Sequence, residues 1–203
     1  MKTSPPYHRV NLRKTLLDAA VALIGEVGPR AFTLREVARR AGVSHNAPYR
    51  HFAGKDELLR AVATEGFERL AASMEKALGP GRTAAERLQL CGCGYVEFAL
   101  KWPQHLLVMF DMPPVDTKQC KPDQEAGGPA FQVLMDCILA AQEAGDLPAG
   151  DPMPEALMSW ALVHGIAKLA TGGNLPLTAE ATVEFARSAA AMMLGRMGSR
   201  AGA

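Results

Sequence analysis

Side chains that can hydrogen-bond to nucleic acid are concentrated in one stretch, from Thr33 to Lys55, which reads TLREVARRAGVSHNAPYRHFAGK. The amide of Asn46 can pair bidentately with adenine, and the imidazole of His45 can donate or accept a hydrogen bond. Hydroxyl, imidazole and ammonium groups in the same stretch suit the anionic oxygens of phosphates. The chemistry available here is therefore that of binding.

The side-chain combinations typical of enzymes and metal sites are not found in this sequence. No nucleophile is spaced with a base, no phosphate-binding loop is present, and His105 and His164 are too isolated to form a dyad. The four cysteines, at positions 91, 93, 120 and 137, form no CxxC pair and no Cys/His ligand spacing. We therefore expect no enzymatic activity, no metal, no cofactor, and reduced structural cysteines.

Charge is distributed unevenly along the 203 residues, although the formal net charge is only +1. Residues 1–60 contain 11 Lys and Arg against 5 Asp and Glu, whereas the remaining residues contain 11 against 16. This asymmetry indicates a basic DNA-binding domain followed by a domain that does not bind DNA. No apolar run is long enough to span a membrane and no signal peptide is evident, so we expect a cytoplasmic protein.

Apolar residues recur at helical spacing along nearly the whole chain, and no strand-like alternation is visible. Glycine and proline separate the segments, as at Gly28-Pro29. The pattern predicts an all-α fold of about nine helices, with a mobile loop over residues 113–128. The predicted helices span about 11–27, 33–42, 44–52, 55–78, 84–101, 103–112, 129–144, 152–171 and 178–197.

Residues 33–52 have the pattern of a helix-turn-helix, which needs a small residue where its helices cross and a glycine at the turn. Ala38 and Gly42 meet these two needs. Thr33 and Glu36 predict a capping box at the first helix, and Ser44 is the expected N-cap of the second. Pro48 removes only the first hydrogen bond of that second helix, which leaves its onset open by about a residue.

Residues 10–60 resemble the N-terminal domain of the tetracycline-repressor family. The resemblance covers about fifty residues with several fixed spacings, including the Tyr-x-His-Phe sequence that ends at Phe52 and the lysine, Lys55, that opens the next helix. It implies a DNA-binding domain over residues 10–70 and a ligand-binding and dimerisation domain over residues 71–203.

The resemblance also implies roles for individual residues, with the second helix of the motif lying in the major groove. Base edges are then faced by His45, Asn46 and Ala47, while Arg50 contacts either a phosphate or a guanine. The positions similar to phosphate contacts are Thr33, Ser44, Tyr49, His51 and Lys55. Alternatively, Tyr49 packs in the domain and His51 is only a polar residue at a helix end.

The family dimerises through its last two helices, here residues 152–171 and 178–197. A stripe of small and flexible residues on the second of these is compatible with close contact between subunits. The stripe consists of Ala186, Ala189, Ala190, Met193 and Met197. The alternative is that it packs on its own subunit.

Trp160, His164 and Gly165 resemble a subgroup of the family that carries a Trp-x3-His-Gly pattern. Trp160 and His164 are four residues apart and share a helix face, where they line a ligand pocket or belong to the core. The residues expected around such a pocket are Phe67, Met74, Tyr95, Phe98, Trp102, His105, Met109, Phe110, Phe131 and Met135, together with Trp160 and His164.

The sequence therefore predicts a homodimeric DNA-binding repressor, released from a pseudo-palindromic operator by a small, mainly apolar ligand. The expected partners are the operator duplex, a small-molecule effector and a second copy of the chain. No association with a membrane is expected. A helix-turn-helix used only for protein contacts is the alternative, and the basic N-terminal part argues against it.

Overall fold

The computed structural model describes residues 12–111 and 122–198, and these form eight α-helices, one 3-10 helix and no β-strand. The prediction of an all-α fold with about nine helices is confirmed. Within these two ranges no helix is long and apolar enough to cross a membrane. The elements are α1 (Leu12–Val27), α2 (Leu34–Arg40), the 3-10 helix (Pro48–Arg50), α3 (Lys55–Leu78), α4 (Ala84–Lys101), α5 (Pro103–Asp111), α6 (Pro122–Glu143), α7 (Met153–Thr171) and α8 (Ala179–Gly198).

Local sequence signals explain where the first helices begin and end. Gly28 follows α1 with a φ of 82°, a left-handed conformation that glycine adopts without strain. The capping box predicted for Thr33 and Glu36 is present at the start of α2. An equivalent box, formed by Thr83 and Glu86, begins α4.

The loop predicted over residues 113–128 is wrong in its second part, because α6 already begins at Pro122. A proline at the first position of a helix removes no intrahelical hydrogen bond, so Pro122 is compatible with a helix start. Pro129 lies inside α6 and is tolerated there. Residues 113–121, including Cys120, lie outside the described residues.

The described chain divides into two compact units. Unit 1 contains residues 12–65 and 104–111, and unit 2 contains residues 66–103 and 122–198. Helix α3 therefore begins in unit 1 and ends in unit 2, while α5 packs with the N-terminal helices. The core of unit 1 is formed by apolar side chains of α1, α2, α3 and α5, among them Leu16, Val37, Leu58 and Val108.

Helix α4 is central to unit 2, where it packs against α6, α7 and α8. The approach between α4 and α3 is close at Gly94, where an added Cβ would lie 2.7 Å from both the Met74 Cα and the Ser73 carbonyl oxygen. The Ser73 hydroxyl donates to the Gly94 carbonyl at 2.9 Å. Unit 2 therefore requires glycine at this helix crossing.

The alanine stripe of α8 faces the interior of its own subunit. Ala186, Ala189 and Ala190 are buried, and α8 packs against α4 and α7. These alanines therefore do not supply the contact with a second subunit that was predicted for them, because their small side chains fill the packing of α8 on its own chain. Met193 is half-buried, and the side chain of Met197 lies outside the described part.

We expect Gly94→Ala to lower the free energy of unfolding by about 1–3 kcal/mol, because the new methyl group meets backbone atoms that cannot rotate away. Gly92→Ala is the matched control. Its Cβ would meet only the Val163 Cγ1, at 2.9 Å, and a side chain can adjust. Urea unfolding of both variants tests this, and equal stability for Gly94→Ala and the unsubstituted chain would contradict it.

Candidate nucleic-acid interface

The segment that follows α2, residues 41–52, is largely polar, and a few buried residues within it hold it in place. Ala47, Pro48 and Phe52 are buried, and Phe52 is only 1% exposed within the core of unit 1. The guanidinium carbon of Arg13 lies 5.4 Å from the centroid of the Phe52 ring. Apolar burial therefore fixes the middle and the carboxyl end of a segment whose other side chains are mostly polar.

The helix in this segment is shorter than predicted and starts later. Only Pro48–Arg50 is helical, in a 3-10 turn whose N-cap is Ala47 rather than Ser44. The Ser44 carbonyl accepts from the Ala47 N–H at 2.9 Å. An α-helix capped by Ser44 would need an N–H from residue 48, which proline lacks, so the chain forms tighter turns instead.

The turn brings most of the predicted DNA-contacting residues to the surface. Exposed side chains are those of Ser44, His45, Asn46, Tyr49 and Arg50, with Tyr49 53% exposed. His51 is half-buried, and its ring centroid lies 6.5 Å from that of Phe52. Ala47 is 8% exposed, so its methyl group is not presented with the others to meet a base edge.

Two residues predicted to contact phosphate are engaged within unit 1. The Thr33 hydroxyl donates to Glu36 Oε2 at 2.9 Å and accepts from the Glu36 N–H at 3.3 Å. The Lys55 ammonium donates to the carbonyl oxygens of Arg30 and Phe32, both at 2.8 Å. Hydrogen bonds from Thr33 lower the pKa of the Glu36 carboxyl, and burial lowers the pKa of the Lys55 ammonium.

The arginines of α2 add positive charge beside this surface. Arg35, Arg39 and Arg40 are all exposed. Arg40 is engaged in an ion pair, with its Nη1 2.7 Å from Glu26 Oε2. Both side chains are well exposed, so solvent weakens this pair and it contributes little to stability.

In unit 2 the two aromatic residues of the Trp-x3-His pattern meet a buried tyrosine. Tyr95 Oη lies 2.8 Å from His164 Nδ1, and the two rings are nearly perpendicular. Burial raises the pKa of the Tyr95 phenol, while hydrogen bonding with the Trp160 side chain acts in the opposite direction. Because an indole only donates, the Tyr95 hydroxyl oxygen is the acceptor toward Trp160, and the tautomer of His164 determines which group donates between Tyr95 Oη and His164 Nδ1.

The residues expected around one pocket are divided between the two units. His105, Met109 and Phe110 pack in unit 1, where His105 Nε2 lies 3.4 Å from Glu65 Oε2. Sequence periodicity missed this division because it does not show that α5 returns to the N-terminal helices. The other nine fall in unit 2: Phe67, Met74, Tyr95, Phe98, Trp102, Phe131, Met135, Trp160 and His164.

Family models match both parts of the chain. Residues 16–62 match bacterial regulatory proteins of the tetR family, and residues 88–193, more than half of the chain, match the tetracyclin repressor-like C-terminal domain. The chain belongs to the tetracycline-repressor family. Members of this family are transcriptional regulators that bind DNA through a helix-turn-helix, and residues 33–52 lie within the segment that matches the N-terminal family model.

Curated members of the family are similar over part of their length. The HTH-type transcriptional repressor KstR of Rhodococcus jostii is 40% identical over 78 residues, which are 38% of this chain and 36% of the relative. The HTH-type transcriptional regulator BetI of Brucella anthropi is 34% identical over 76 residues, 37% of this chain and 39% of the relative. The chain thus spans well under half the length of these tetracycline-repressor relatives.

Solved structures are similar to nearly the whole chain. A protein of unknown function from Rhodococcus sp. RHA1 has a TM-score of 0.79 and 34% identity, covering 94% of this chain and 98% of that one. FadR of Bacillus subtilis in complex with stearoyl-CoA has a TM-score of 0.75 over 89% of this chain and 96% of that one. Its identity of 17% shows a common fold alone.

Tyr95→Phe should destabilise the protein by about 1–3 kcal/mol, because it removes the buried hydroxyl that both His164 and Trp160 contact. Tyr49→Phe provides the control, since it deletes an exposed hydroxyl and should leave stability within about 0.5 kcal/mol of the original. Thermal unfolding measures both. Unchanged stability in Tyr95→Phe would show that this hydrogen-bonded cluster does not support unit 2.

Proposed function

We propose that the chain is a homodimeric transcriptional repressor, bound to a pseudo-palindromic operator and released from it by a small, mainly apolar ligand. The observation that carries this proposal is the surface formed by His45, Asn46, Tyr49 and Arg50, exposed on a turn that buried neighbours hold in place. The basic character of residues 1–60 favours an anionic partner. The proposed site of action is the cytoplasm, and no enzymatic step is part of the proposal.

Within that surface we assign different contacts by chemistry. Asn46 and His45 are proposed to read base edges, because an amide and an imidazole can both donate and accept. Ser44, Tyr49 and His51 are proposed to contact phosphate, whose oxygens accept from hydroxyl and imidazole groups. Arg50 suits either a phosphate or a guanine edge, as its planar guanidinium binds both bidentately.

The proposed dimer contact is the apolar surface that α7 and α8 turn away from their own core. On α7, Leu157, Met158 and Leu169 are about half exposed, and a Cβ at Gly165 would meet nothing within 4 Å. On α8, Phe185 is 43% and Met192 61% exposed. Apolar side chains on two adjacent helices favour a second copy as partner, since the family dimerises through these helices and two recognition surfaces double the base contacts.

We infer that the ligand binds in unit 2 and that the C-terminal part belongs to the Trp-x3-His-Gly subgroup. Unit 2 contains two pairs of packed aromatic rings. The ring centroids of Phe131 and Trp160 are 5.9 Å apart, and those of Phe98 and Trp102 are 5.6 Å apart. Aromatic surroundings favour an apolar ligand. The ligand is proposed to favour a conformation of the dimer in which the two DNA-contacting surfaces, one in each protomer, no longer match the spacing of the operator half-sites. The repressor then dissociates from the DNA.

Met192→Glu should convert the dimer into a monomer of 21.7 kDa, because a carboxylate buried without a partner in an apolar interface costs about 3 kcal/mol or more. Leu139→Glu is the matched control, as Leu139 is an exposed apolar residue of α6 outside the proposed contact. Analytical ultracentrifugation separates the two states. A Met192→Glu protein that stays dimeric at low micromolar concentration would exclude α8 from the interface.

DNA recognition is tested by selecting duplexes from a random pool and measuring affinity across a salt series. Asn46→Ala should reduce the preference for the selected duplex over unselected DNA by about 1–3 kcal/mol per protomer, because it removes a bidentate base contact. Tyr49→Phe should weaken binding to both duplexes equally. Failure of the unsubstituted protein to bind any duplex at low salt would reject the proposed function.

A further inference from the structure

Two cysteines of unit 2 lie against each other where two helices meet. Cys91 belongs to α4 and Cys137 to α6, and these helices pack together. The Cys91 side chain is fully buried, that of Cys137 is 3% exposed, and both are free thiols. A hydrogen bond joins the two side chains. Two thiols that are far apart in the sequence therefore meet inside one core.

The two thiols of this pair differ in how readily they lose a proton. The hydrogen bond with Cys137, together with burial, raises the pKa of the Cys91 thiol, and the same hydrogen bond lowers the pKa of the Cys137 thiol. The positive charge of Arg87, one helical turn before Cys91 on α4, also favours the Cys137 thiolate, whereas burial opposes it. The Cys91 S–H is therefore the donor and the Cys137 sulfur the acceptor.

Cys93 is also buried on α4, but its thiol has a different neighbour. Its Sγ donates to the Val183 carbonyl oxygen of α8 at 3.9 Å. Burial raises the pKa of the Cys93 thiol to about 11, so this thiol stays protonated at neutral pH. Cys93 therefore behaves as a small packing residue, in contrast to the hydrogen-bonded pair.

We propose that Cys91 and Cys137 form a redox-sensitive pair, which hydrogen peroxide converts into a disulfide that joins α4 to α6. Cysteines that respond to oxidants combine a thiolate with a neighbouring thiol that can displace the oxidised group. Cys137 supplies the thiolate and Cys91 the neighbouring thiol. The oxidant is a small one, because both side chains are buried and only a molecule close to water in size reaches them through local opening.

The reaction takes place in two steps. The Cys137 thiolate attacks one oxygen of the peroxide, the O–O bond breaks, and a sulfenic acid and a hydroxide ion form. The Cys91 sulfur then attacks the sulfenic sulfur, so that an S–S bond forms, the S–O bond breaks, and the S–H proton leaves with the hydroxyl group as water. Two electrons pass from the thiols to the peroxide. Two molecules of an external thiol reverse the change and are themselves oxidised to a disulfide.

The disulfide would act on the unit that is proposed to bind the ligand. Helix α4 packs against α6, α7 and α8, and a covalent link between α4 and α6 limits how far either helix can move against the other. Thiols are kept reduced in the cytoplasm, the proposed site of action, and disulfides that form there are usually transient. The proposal adds oxidation as a second chemical input and does not depend on DNA binding. A chain that forms the disulfide but binds no duplex would contradict only the proposed function.

Peroxide treatment of the folded protein tests the pairing. The full chain carries Cys120→Ser, so that the pair and Cys93 are the remaining thiols. Hydrogen peroxide should lower the mass of the chain by that of two hydrogen atoms, and tandem mass spectrometry should find Cys91 bonded to Cys137. Dithiothreitol should restore the original mass. Absence of a disulfide, or one that includes Cys93, would overturn the proposal.

Cys93→Ser is the matched control, because it removes a buried thiol of α4 outside the pair and should leave the disulfide unchanged. Cys91→Ser should abolish the disulfide and leave Cys137 with one added oxygen atom. Arg87→Met should slow the reaction several-fold, since it removes the charge that favours the thiolate. A disulfide that persists in Cys91→Ser, or a rate unchanged in Arg87→Met, would contradict the assigned roles. If Cys91→Ser does not fold, the bonded sulfurs identified in the Cys120→Ser protein decide.

Discussion

A polar turn that faces solvent has few contacts of its own, so apolar residues within it must hold its conformation. In this protein Pro48 and Phe52 supply that constraint. Both are buried, and Phe52 packs in the core of unit 1. The turn has little secondary structure of its own, since only three residues are helical. Packing of these side chains therefore determines where His45, Asn46 and Arg50 are presented, and the proposed DNA-binding surface depends on the core beneath it.

Hydrogen bonds fix the first residues of α2 and α3, the helices on either side of this turn. The groups that form these bonds, on Thr33 and Lys55, were also expected to contact DNA. The Thr33 hydroxyl completes a capping box, and the Lys55 ammonium binds backbone carbonyls. Polar groups that satisfy the free ends of helices reduce the conformational freedom of the interface before binding. A DNA-binding surface prepared in this way loses less entropy when it meets the duplex.

Unit 2 combines a tightly packed interior with an exposed apolar surface. Gly94 permits α3 and α4 to approach closely, and the buried alanines of α8 pack on the same subunit. The exposed residues Phe185 and Met192 lie seven positions apart on α8 and are not needed for that packing. Helix α8 thus has one buried face and one exposed apolar face, an arrangement that suits a family of regulators that bind DNA as dimers.

Much of this protein was predictable from sequence, because helical periodicity, the Thr33–Glu36 capping box and the spacing of the helix-turn-helix are local properties. The sequence alone therefore determined the all-α fold and the family. The tertiary structure decided what depends on distant neighbours: that Lys55 binds carbonyls of Arg30 and Phe32, that Tyr95 joins Trp160 to His164, and that α5 packs in unit 1. These contacts join residues far apart in the chain, and periodicity carries no information about which distant groups meet.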